Sequence, residues 1–166
     1  MRGDPISSQD EMGSRMSFEG NILKKTLQDL DGQDWGEPTY PSHLVTEYHR
    51  LRRVPLEKLN VENLRLLIGQ SLSLNYLEYL LPLAFEHLQR TPWIDGDYYE
   101  GDLLQNVLRV PISFWHSHPD LKRQLDQIVE KAFVEAPEAE LKELQDPGIS
   151  ETCLLRKLQN WKEQTF

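Results

Sequence analysis

Residues 72–88 read LSLNYLEYLLPLAFEHL, and how this run folds decides the class of the whole domain. It is too long for a single β-strand and too rich in leucine for a loop. A helical reading remains: one buried central helix, or two helices meeting at Pro82, which suits the first turn of a helix far better than its interior. In either form the run supplies the predicted core.

Working outward, VENLRLLI (61–68) places Val61, Leu64, Leu67 and Ile68 on one stripe. Asn60 is placed to cap this helix and Gly69 to end it. Further upstream, Leu44, Val45, Tyr48 and Leu51 recur at helical spacing after the N-cap candidate Ser42, and Pro55 forbids continuation. A first helical pattern runs from Asn21 through Ile22, Leu23, Leu27 and Leu30 into the breaker stretch DGQDWGEP. Downstream, Asp102 opens DLLQNVL with Gln105 in capping-box register. Pro119 begins a helix carrying Leu121, Leu125, Ile128, Val129, Ala132 and Phe133 on one face, and Pro137 ends it. Segments near Glu138–Leu144 and around Leu154, Leu155, Leu158 and Trp161 follow, separated by the turn DPG.

No alternating strand pattern and no internal repeat appears, so the expected fold is all-α: a single compact domain of about seven or eight short helices over residues 16–166. Residues 1–15, polar and aperiodic, read as a disordered extension or as sequence ahead of a natural start at Met16. The 166-residue chain is long enough for one real core.

With 27 acidic against 18 basic residues, the formal charge is -9. Such a field repels nucleic acid and anionic membrane and attracts cationic proteins. A single cysteine, Cys153, excludes an intrachain disulfide framework and points to a reducing compartment. No run approaches the ~20 apolar residues of a membrane span, and the amino terminus lacks an apolar signal core, so a cytoplasmic location is expected.

Two acidic, aromatic stretches stand out. WIDGDYYEGDLL (93–104) holds Asp95, Asp97, Glu100 and Asp102 with no Lys or Arg between Arg90 and Arg109. As a calcium loop it fails: counted from Asp95, the positions that need an oxygen ligand, a glycine and a bidentate glutamate hold Tyr99, Glu100 and Asn106. A structural turn accounts for Asp95, Gly96, Gly101 and Asp102, but leaves Asp97, Tyr98, Tyr99 and Glu100 facing water, as a protein-contact surface would. DLDGQDWGEP likewise sets Asp34 and Glu37 around Trp35. In WHSHPD, the pair His116 and His118 is a weak metal signal, read instead as His118 capping the helix begun by Pro119 and a solvated His116. The basic stretch HRLRRVPLEK, with Arg50, Arg52 and Arg53, reads as a helix end that balances the macrodipole. No phosphate-cradling glycine motif, HExxH, CxxC or GxSxG is present.

The succession DLDGQDWGEP, HLVTEYHRLRRVPLEKLNVENLRLLIGQ, LNYLEYLLPLAFEHL, DGDYYEGDLLQNVLRVPISFW and HPDLKRQLDQI, across residues 22–134, resembles the immunity proteins of bacterial contact-dependent growth inhibition systems. That resemblance implies a non-enzymatic, cytoplasmic binder. Its partner would be the C-terminal toxin domain of a large surface-displayed exoprotein, held one to one by a monomeric inhibitor without a cofactor. Toxins in these systems are frequently nucleases, whose need to hold phosphate makes them basic, and an acidic inhibitor complements them. The expected contact residues are Asp97, Tyr98, Tyr99 and Glu100 first, then Asp34, Trp35 and Glu37, then Trp115. The rival readings are a helical scaffold or adaptor and a metal-dependent hydrolase built on His116 and His118.

Overall fold

The protein's structure, a computed structural model, describes residues 21–39, 42–70, 76–148 and 153–164. The expectation for residues 1–15 lies outside them. Among the described residues there are nine α-helices and two 3-10 turns, and no strand, so the fold is all-α. An isolated antiparallel bridge pairs Asp95 with Glu100. The chain divides into two compact units, residues 1–63 and 64–166.

In the first unit, the helix expected from Asn21 breaks in two. A 3-10 turn, Ile22–Lys24, gives way to extended backbone at Lys25, and α1 then spans Leu27–Asp31. Thr26 causes the break. Its hydroxyl accepts from Asp29 N at 3.0 Å while the Asp29 carboxylate accepts from Thr26 N, a reciprocal capping box that fixes a new helix start. Helix α2, His43–Leu51, begins at Ser42 as expected, with Val45 N donating to Ser42 Oγ. A second 3-10 turn, Leu56–Lys58, follows Pro55 and is clipped to the end of the first by Leu56 N donating to Lys25 O at 2.9 Å. Leu27, Leu51, Leu56 and Leu59 are buried, each contributing roughly 2 kcal/mol of apolar transfer.

Helix α3, Val61–Gly69, starts on an exchange like that at Thr26. Asn63 N donates to Asn60 Oδ1 at 2.8 Å, and Asn60 N to Asn63 Oδ1 at 3.1 Å. Gly69 does not act as the expected left-handed cap, because it is the last helical residue and its backbone is not left-handed. A Cβ there would sit 2.5 Å from Asn106 Nδ2, the amide that donates to Arg65 O. The glycine therefore permits a close approach.

The second unit is organised on α4, Leu77–Arg90, one continuous helix with Pro82 inside it. Of the two forms open for this run, the single buried helix is the one found, and Pro82 does not open a second helix. Leu77, Leu80, Leu81, Ala84, Phe85 and Leu88 form its buried face. Helix α4 packs on α7, Pro119–Val134, whose Leu125, Ile128, Val129 and Ala132 point inward. The Lys131 ammonium of α7 donates to the carbonyls of Gln89 and Arg90, closing the C-terminal end of α4. Helices α5, Asp102–Leu108, and α6, Ile112–Ser117, precede α7. Helix α8, Glu138–Gln145, and α9, Leu154–Glu163, follow it, and α9 packs on α5, α7 and α8.

Three tryptophans are buried here with their indole N–H groups satisfied: Trp93 to Ala132 O, Trp115 to Val110 O and Trp161 to Asp126 Oδ1, at 2.9, 3.1 and 3.0 Å. The expectation that Trp115 forms part of a contact surface is corrected by this placement. It is 1% exposed, packed edge-on to Phe114 and Trp161. A large indole gains more from a dry core than from the protein surface, and the residue is a core anchor.

Candidate functional site

Residues 94–101, between α4 and α5, form a loop held at both ends by backbone bonds. Ile94 N donates to Thr91 O, and Gly101 N to Ile94 O at 3.3 Å. Beneath the loop lies Asp102, 2% exposed. The DLLQ pattern predicts a capping box, but Gly101 is the N-cap, with φ +89°, and Asp102 is the first helical residue. Its carboxylate turns back into the loop: Oδ1 accepts from Gly96 N at 2.6 Å, and Oδ2 from Tyr98 N at 3.1 Å and Tyr99 N at 3.4 Å. Gly101 must be glycine-like for a second reason, since a Cβ would meet Leu154 Cδ2 at 2.6 Å.

Arg65, on α3, completes the support. Its Nε lies 3.9 Å from Asp102 Oδ2, and its guanidinium stacks 4.4 Å from the centre of the Tyr98 ring. Nothing in the sequence singled out Arg65, which reads as the polar face of a short helix far from the loop along the chain. On this base the loop displays Tyr98, 70% exposed, and Tyr99, 48% exposed, between the exposed carboxylates of Asp97 and Glu100. Both tyrosines remain at the surface because the bonds of Asp102 fix their backbone, leaving the rings outside the core.

The negative charge continues onto α8. Glu140 accepts from Leu155 N at 3.0 Å, capping α9. Burial, and then the charges of Glu143 and Glu100, hold its carboxyl above the usual carboxylate range, partly offset by the backbone bonds it accepts. Sequence order does not bring Glu140 into the field of Glu100, which only the tertiary fold does.

The other acidic stretch belongs to the first unit and is organised differently. Arg52, 1% exposed, directs Nη2 at both carboxylate oxygens of Asp31, at 2.8 and 3.0 Å, and at Gln33 O. Its guanidinium lies 4.1 Å from the centre of the Trp35 ring, which also stacks on Tyr48 and meets His49 edge-on. Arg53 approaches Asp34 Oδ1 at 3.6 Å and Glu37 Oε1 at 3.4 Å. The two arginines expected merely to balance a helix end therefore fold back on the loop and offset its charge. Trp35 is still 43% exposed.

The two histidines differ in setting. His118 stacks on Phe114 at 4.0 Å, and its Nδ1 lies 2.9 Å from Phe114 O, while His116 is exposed. Among the described residues no group of three His, Cys, Asp or Glu side chains is arranged to hold a metal ion. No helix among them is long and apolar enough to cross a membrane.

Neither the curated proteins nor the solved structures contain a significant match to the chain. A family model described as CDI immunity proteins matches residues 29–125, a span that takes in both acidic loops, Arg65 and Asp102. The match covers more than half of the chain, which therefore belongs to the CDI immunity proteins, the family of contact-dependent growth inhibition immunity proteins.

Proposed function

We propose that the protein binds the cognate C-terminal toxin domain of a contact-dependent growth inhibition exoprotein, one to one, and blocks it by covering the active site or an adjoining surface. The protein is a non-enzymatic inhibitor that acts as a monomer in the cytoplasm. The observation carrying this reading is the loop at 94–101, where two exposed tyrosines and two exposed carboxylates ride on a backbone fixed from below by Asp102. Rigid aromatic rings supply contact area at low entropic cost, and carboxylates steer a basic partner into register. A nuclease is the partner class that fits best, because a phosphate-binding active site is basic and the chain carries a net charge of -9.

Asp97, Tyr98, Tyr99 and Glu100 are the principal contact residues. Trp35, with Asp34 and Glu37, forms a secondary surface, ranked lower because Arg53 already partners both carboxylates. Titration calorimetry against the toxin domain tests the assignment. The substitution pair Asp97→Lys with Glu100→Lys should weaken binding by at least about tenfold while leaving the thermal midpoint within a few degrees of the parent, since both side chains are exposed. Unchanged affinity in this variant would remove the loop from the interface.

A further inference from the structure

A second feature of the helical unit lies at the end of α5, against α9. A pocket of about 210 Å³ is lined there by Arg109, Lys157, Gln105, Asn160, Gln164 and Trp161. Its polar lining groups are two cations and three amides, with no carboxylate among them. This is unusual in a chain with 27 acidic residues, where Lys122, Lys131, Lys142 and Lys162 all find carboxylates. Among the described residues, Arg109 and Lys157 make no ion pair and no side-chain hydrogen bond. Glu140 attracts Lys157 from a distance, but its carboxylate is engaged with Leu155 N. Burial and then the charge of Arg109 hold the Lys157 ammonium below its ordinary pKa.

Two cations facing one small cavity without an ion-pair partner among the described residues repel each other, and an oxyanion between them would turn that repulsion into two attractions. The guanidinium offers a planar fork of donors, the ammonium a point charge, and the amide groups further N–H donors. The volume suits a single small group, not a nucleotide. We propose that this pocket is an oxyanion subsite that takes one phosphate or carboxylate group between Arg109 and Lys157, with the amides of Gln105, Asn160 and Gln164 as additional donors. Two sources present this chemistry: inorganic phosphate in solution, and an acidic side chain of a protein seated on this face. The subsite itself does not depend on the toxin-binding reading.

The full-length protein, labelled with nitrogen-15, is titrated with inorganic phosphate and separately with acetate at fixed pH and ionic strength. Saturable shifts confined to the Arg109 Nε–H and the side-chain amides of Gln105, Asn160 and Gln164 are expected. Arg109→Gln with Lys157→Gln should weaken phosphate binding by at least about tenfold, with an unchanged thermal midpoint because both cations are partly or fully exposed. Shifts that grow linearly without saturating, or that are the same in the double variant, would overturn the subsite. The double variant is also titrated against the toxin domain. A tenfold loss there assigns the oxyanion to a partner carboxylate, and unchanged affinity alongside saturable phosphate binding assigns it to free phosphate. If the parent protein binds no toxin, the immunity reading fails while the phosphate titration still decides the pocket.

Discussion

Asp102 offers two oxygens to three backbone N–H groups, so Asp102→Ala strands all three donors beneath the loop. The expected loss is about 3 kcal/mol, measured by urea denaturation, with Asp102→Asn losing less because one acceptor oxygen survives. The same variants should broaden the amide resonances of residues 96–99 as the loop loses its frame. The structural importance of Asp102 was legible in the sequence, but the direction of its carboxylate was not. A capping box and a loop anchor share one residue pattern, and which N–H groups the oxygens meet depends on a backbone path that Gly101 alone permits. For the same reason Tyr98 and Tyr99 could be read as surface residues from their carboxylate neighbours, whereas Arg65 under Tyr98 could not. Trp115 was misread because tryptophan suits both cores and interfaces, and only the satisfied N–H and the surrounding Phe114 and Trp161 decide between them.

Helix periodicity identified α3, α4, α7 and α9 from their apolar stripes, because a buried face must recur at the helical repeat whatever packs on it, whereas in α2 only Leu51 of the stripe is buried and Leu44 is exposed. Ends were harder to read. The break before α1 rests on the hydroxyl of Thr26, and Pro82 stays within α4 because the tertiary burial of Leu80, Leu81, Ala84 and Phe85 outweighs one missing backbone bond. Helix α9 carries a pH dependence through its cap. Glu140 titrates above its ordinary value when folded, chiefly through burial. Its contribution to stability is therefore fully present below its unfolded pKa of about 4.5 and is lost as pH rises through the higher folded value. Acidification from neutrality into that window should raise the thermal midpoint relative to Glu140→Gln, which keeps an acceptor for Leu155 N but has no proton to gain. Parallel midpoint curves for the two proteins would remove Glu140 as the source.

At the scale of the whole molecule, the net charge of -9 sets how the protein meets its partner more than how tightly it stays bound. Raising ionic strength should slow association with a basic toxin domain severalfold, read by stopped-flow mixing, while dissociation changes little. An association rate indifferent to salt would point to a partner without a basic face. Composition made this field legible in advance. It could not show its distribution: Arg52 and Arg53 offset one acidic stretch, Glu140 adds to the field of the other, and Arg109 with Lys157 forms a basic pocket in a chain whose overall sign argues against one. Such local reversals arise from side chains distant in sequence, and an average over the chain removes them.

The bonds from Asp102 run to main-chain nitrogens, and those atoms are the same whichever amino acids other than proline occupy positions 98 and 99. The outline of the loop is thus largely indifferent to the side chains it shows. Frame and lettering are separate. Under the toxin contact proposed above, a set of scaffolds alike in every buried residue would carry different four-residue inscriptions at positions 97–100, each addressed to its own adversary. A change of address would then require no redesign of the fold.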